Sequence, residues 1–182
     1  MGIKNPRHRS DKEIELFRKE NIFYQGIQLH QLNNYYAYFD SLTQKSPQIV
    51  AQDSFKVLMQ PLEAMYFDTL GILESILVNC YAVPDKFDLN WNTKNRLDFF
   101  PPTTHVTFFR HINIYEILKL TNAGSDVLKL DNGKRKVVIF WNIFLNKQTK
   151  IYLKAIQDNL AKAKGEIQVF FINNDNSFFA NS

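Results

Sequence analysis

The chain has 182 residues, 45% hydrophobic and 14% aromatic, and a net charge of +4. That much apolar matter excludes an intrinsically disordered polymer, fits one globular unit, and leaves nucleic acid or an anionic surface open as a partner. A single cysteine, Cys80, excludes an intramolecular disulfide and points to a reducing compartment, either an organelle matrix (mitochondrion) or the cytoplasm.

Residues 1–9 carry Lys4, Arg7 and Arg9 and read as a flexible basic arm able to lie along phosphates. The arm contains no apolar segment of the signal-peptide type, so export is not expected. Ser10 and Glu13 then stand at capping-box spacing, which predicts a helix to about Glu20 with Ile14, Phe17 and Leu16 facing inward. After Gly26, the spacing of Leu29, Leu32, Tyr36 and Phe39 predicts a second helix over 28–43. It includes the tyrosine-rich run 33–39, which suits a core face better than base stacking. A longer helical pattern covers 52–82, interrupted at Pro61, and would bury Cys80. Residues 10–83 are therefore expected to be helical. The most apolar window, 64–83, is broken by Asp68, Glu74 and Asn79, so no membrane span is expected.

Residues 84–103 form an irregular connector with Pro84, Pro101 and Pro102. Its aromatic residues, Phe87, Trp91, Phe99 and Phe100, together with Arg96, suit a docking surface for other protein subunits. Residues 104–182 read as an α/β region. It opens with a strand over 104–110 and a short helix capped by Asn113. Asp131-Asn132-Gly133 suggests a type I′ hairpin turn between 127–130 and the strand that follows. Val137 to Trp141 is an unbroken β-branched and aromatic run, as a strand buried on both faces would be. Asn146 is placed to cap a helix whose inner face is Tyr152, Ile156, Leu160 and Ala163, ending at Gly165. Ile167 to Ile172 makes the next strand, parallel to the first across the helix. The expected fold class is α+β or α/β: a helical N-terminal half packed on a small mixed sheet with a C-terminal β-α-β unit.

Motifs for catalysis and cofactors are not found. The chain has no phosphate-binding glycine loop and no nucleophile elbow. His105 and His111 alone do not make a closed metal site. No catalytic residue, metal or cofactor is therefore expected. The basic clusters are the candidates for nucleic-acid contact: Lys4, Arg7 and Arg9 in the arm, and Lys134, Arg135 and Lys136 beside the Asn-Gly turn.

Asn132-Gly133-Lys134, the run Val137 to Trp141 and Phe144 resemble the core of TlpA-type thioredoxin-like proteins. The resemblance implies a thioredoxin-like frame with further strands after Asp175. It places the two motif cysteines at Leu145 and Gln148, which excludes thiol–disulfide chemistry there. Two functions are expected, the first from the basic balance, the basic arm, the aromatic connector and the lack of active-site motifs, the second from the resemblance. The first is a non-catalytic subunit of a larger assembly, a ribonucleoprotein of organellar-ribosome type that contacts RNA and neighbouring proteins. The second is a redox-inactive thioredoxin-like module that binds a protein partner.

Overall fold

The computed structural model describes residues 7–31, 60–85, 88–104, 112–123 and 130–178. Its strands are β1 (Ile27–His30), β2 (Glu63–Phe67), β3 (Leu73–Val78), β4 (Val83–Asp85), β5 (Asp88–Asn90), β6 (Arg135–Trp141) and β7 (Ile167–Asn173). Its helices are α1 (Asp11–Asn21), α2 (Ile114–Leu118) and α3 (Lys147–Leu160). Five strands form one mixed sheet in the order β1-β7-β6-β2-β3, while β4 and β5 make a separate two-stranded ribbon. β1, β7 and β6 pair in parallel, and β2 runs antiparallel to both β6 and β3. The protein is therefore α+β, and the C-terminal unit is β6-α3-β7.

Burial explains the central position of β6. Val137, Ile139 and Trp141 pack into a cluster with α1 and α3, while Val138 and Phe140 pack into a second cluster with α2. Each such side chain removed from water stabilises the fold by about 1.5–3 kcal/mol. On α3, Tyr152, Ile156 and Leu160 are buried against the first cluster. Helix α1 begins with the complete Ser10–Glu13 capping box, and Asn113 caps α2 by accepting the Tyr115 N–H at 2.9 Å. At each edge of the sheet a neighbouring segment occupies part of the exposed backbone. The Ile76 N–H on β3 donates to Thr104 Oγ1 at 3.1 Å, and the His30 N–H on β1 donates to Asn122 Oδ1 at 2.7 Å.

Several local expectations are corrected. β2 and β3 occupy residues placed in the 52–82 helix, and β1 begins the segment placed in the 28–43 helix. The reason is that β2 is buried at every position, and a strand buried on both faces leaves the same continuous apolar run as a buried helix. Cys80 lies in a short 3-10 turn after β3 and is exposed rather than buried. Leu16 is 59% exposed. Asn132 and Gly133 have no positive φ, so their turn is not type I′; instead Asp131 Oδ1 accepts the Gly133 N–H at 3.0 Å. Both edges of β6 are taken by β2 and β7, so the antiparallel neighbour is β2. The Asn146 side chain makes no capping bond, and α3 ends at Leu160, ahead of Gly165. The tyrosine-rich run 33–39 and the strand expected over 104–110, apart from Thr104, lie outside the described residues.

A buried polar clasp holds the C-terminal ends of β6 and β7. Asp175, fully buried, accepts the Ile143 N–H at 2.9 and 2.8 Å, the Phe144 N–H at 3.3 Å and Asn173 Nδ2 at 2.9 Å. Asn142 and Asn174 both donate to the Pro61 carbonyl, at 2.8 and 3.1 Å, which fixes the approach to β2. At the far end of β2 the chain reverses through Gly71, at φ +83°, where a side chain would be strained. Asp68 Oδ1 braces that reversal by accepting the Leu70 and Ile72 N–H groups at 2.8 and 2.9 Å. Leu70 is left 78% exposed.

Candidate docking site

A groove of about 610 Å³ opens at the N-terminal ends of β6 and β7, opposite the clasp. The pairing of Phe67 with Lys136 sets the Asp68–Gly71 turn beside the first residues of β6. The loop from α3 into β7 closes the other side, and the connector lies along the rim. Phe99, 66% exposed, and Phe100 supply its aromatic wall. Phe100 is anchored edge-on against Tyr66, with ring centroids 5.7 Å apart. Asn159 fixes the connector backbone by donating to the Leu97 and Phe99 carbonyls at 3.0 and 2.7 Å.

Charge around the groove is mixed. Arg135, Lys162 and Lys164 line it, and so do Asp68, Asp98 and Glu166. Arg135 is paired with Glu74 at 3.2 Å, and Lys162 lies 3.9 Å from Asp98 while donating to the Leu97 carbonyl at 2.8 Å. Among the described residues, Lys164 has no acidic partner.

The residues singled out by sequence are distributed unevenly. Phe99, Phe100 and Arg135 come together at this groove. Lys134 stands just outside it, held between Glu166 at 2.9 Å and Asp131 at 3.2 Å, and those carboxylates raise its pKa. Lys136 is 1% exposed and donates to the Thr69 carbonyl at 2.8 Å; burial lowers its pKa, so it cannot reach a phosphate from this position. Arg7 is paired with Glu13. Arg9 is buried, its backbone N–H tied to Asn176 Oδ1 at 2.8 Å, so this end of the basic arm is part of the packed structure. Trp91 is also buried, tilted against Tyr152 with centroids 4.7 Å apart, and serves the core rather than a docking surface. Arg96 is half-buried. Lys4 and Phe87 lie outside the described residues. Lys162 and Lys164 end a third basic cluster that is plain in the sequence, with Lys147, Lys150 and Lys154, whereas Leu70 and the three carboxylates were not singled out by sequence. The signal for Leu70 was the Gly after it, masked by the helical reading of the segment.

Among the described residues no group of three or more His, Cys, Asp or Glu could hold a metal ion, and no helix is long and apolar enough to cross a membrane. No protein-family model, curated protein or solved structure matches the chain.

Proposed function

We propose that this chain is a non-catalytic subunit of a larger assembly and docks a protein partner through the groove at Phe99. The observation that carries the reading is a large exposed aromatic residue on the wall of that groove, with a second exposed apolar residue in the adjoining turn. Phe99 lines it, and Leu70, 78% exposed, follows Thr69 in the turn that forms one wall. Protein interfaces place aromatic and aliphatic anchors beside a pocket and surround them with a polar rim that includes Arg. RNA contact, expected from the basic clusters, is less well supported, because carboxylates match the bases around the groove and occupy Lys134 and Arg135.

A redox-inactive thioredoxin-like frame is compatible with the same docking role. The resemblance requires strands beyond the β6-α3-β7 unit, and β2 with β3 extends the sheet on the β6 side. They lie upstream of that unit rather than after Asp175.

The test is purification of the tagged full-length chain from its native source, beside Phe99→Asp. Protein companions, copies of the chain included, should stay bound through a high-salt wash and be lost from the variant. A chain that runs as a free monomer without companions overturns the proposal. Companions retained equally by the variant remove the groove from it.

A further inference from the structure

An interface between two copies related by a two-fold axis uses the same patch twice. Such a patch must carry both the group that inserts and the hollow that receives it, and both signs of charge. The groove meets each demand. Phe99 projects at its rim with 66% of its surface exposed, next to a hollow of about 610 Å³ that has room for an aromatic side chain. Its lining holds three bases and three acids, which makes it complementary to itself and poorly matched to a partner of one sign. Lys164 and Glu166 are both exposed and flank Gly165 in the same loop. Lys164 has no acidic partner among the described residues, and Glu166 is 80% exposed although paired with Lys134.

From this we infer that the occupant of the groove is a second copy of the chain. Phe99 of each protomer enters the groove of the other, and Lys164 of each meets Glu166 of the other across the axis. The inference rests on the docking role proposed for the groove and names its partner.

Analytical ultracentrifugation of the purified full-length chain over a range of concentrations tests it. The wild type should pass from monomer to dimer as concentration rises, and Phe99→Asp should weaken dimerisation by about tenfold or more. The charge variants add a test that misfolding cannot imitate. Lys164→Glu and Glu166→Lys should each be monomeric alone, because like charges face each other across the axis. Mixed together they should form a one-to-one dimer, because both contacts then join opposite charges. A wild type that stays monomeric overturns the inference, as does a dimer insensitive to Phe99→Asp or a charge-reversed pair that fails to associate. If the wild type is monomeric while Phe99→Asp still strips a protein companion in the native purification, the docking role stands and only the identity of the occupant falls.

Discussion

The Asp175 carboxylate accepts the backbone N–H of Ile143 through both oxygens, at 2.9 and 2.8 Å. It ties the segment just after β7 to the loop that leads from β6 into α3. Without it, the Ile143 N–H and Asn173 Nδ2, both on buried residues, lose this acceptor. Each orphaned buried donor costs about 1–3 kcal/mol. Asp175→Ala should therefore lower stability by roughly 3 kcal/mol. A chemical denaturation midpoint reads it directly, and Asp175→Asn, which keeps one carbonyl oxygen, should lose less.

The same carboxyl gives a pH signature of defined sign. Burial holds its pKa above the ordinary 3.8, outweighing the bonds from Asn173, Ile143 and Phe144 and the nearby Arg9. The folded chain thus binds this proton more tightly than the unfolded chain. Its contribution to stability falls as pH rises from about 3.8 through the folded value, then stays flat. Glu13 has the opposite sign: the Ser10 N–H, then Arg7, hold it at about 2, so its contribution fades as pH falls from 4.5. Unfolding followed from neutral pH downward should show wild type gaining on Asp175→Asn and losing ground to Glu13→Gln.

The β6-α3-β7 unit was legible because its strands are β-branched runs joined by a helix with one apolar face. The strands β2 and β3 were not legible. With Met65 and Phe67 buried on one face and Ala64 and Tyr66 on the other, β2 has no alternation to reveal a period of two. Half of the groove was visible in the same way. Phe99, Phe100 and Arg135 stood out as aromatic and basic residues, but their meeting with Asp68 and Thr69 depends on the pairing of Phe67 with Lys136. No local pattern encodes that register. The pairings of Lys134 with Glu166 and of Arg135 with Glu74 were equally hidden, since those carboxylates lie far from them in sequence.

Tyr66 offers a stabilising change. Tyr66 is 1% exposed, and among the described residues its hydroxyl has no hydrogen-bond partner. Burial pushes its pKa far up, so the phenolate is not available to the folded state. Tyr66→Phe keeps the edge-on contact with Phe100 and removes an unsatisfied polar atom. Thermal denaturation should show a gain of about 1 kcal/mol.

At Gly71 the opposite holds. A Cβ there would sit 2.9 Å from Ile114 Cγ2, and the residue's φ of +83° is costly for any side chain. Gly71→Ala should destabilise by about 1–3 kcal/mol, with the unfolding rate carrying the change if the turn forms late. Because the turn forms one wall of the groove, partner binding should weaken as well. Gly133→Ala is the control for stability alone, since its nearest contact would be Asp131 Oδ1 at an ordinary 3.5 Å.

Arg135 separates docking from phosphate binding. Its ion pair with Glu74 is partly exposed, with the two side chains 44% and 31% accessible. Breaking such a pair changes stability by less than about 1 kcal/mol, so Arg135→Ala should fold normally. If Arg135 neutralised a phosphate, its removal would make binding less salt-dependent, reducing the logarithmic slope by about one. In the docking reading the slope is shallow from the start, because apolar burial of Phe99 and Leu70 carries the affinity. Binding measured across a salt series for wild type and Arg135→Ala should then give two nearly parallel, nearly flat lines. A steep wild-type slope that falls by one in the variant would transfer the groove to RNA.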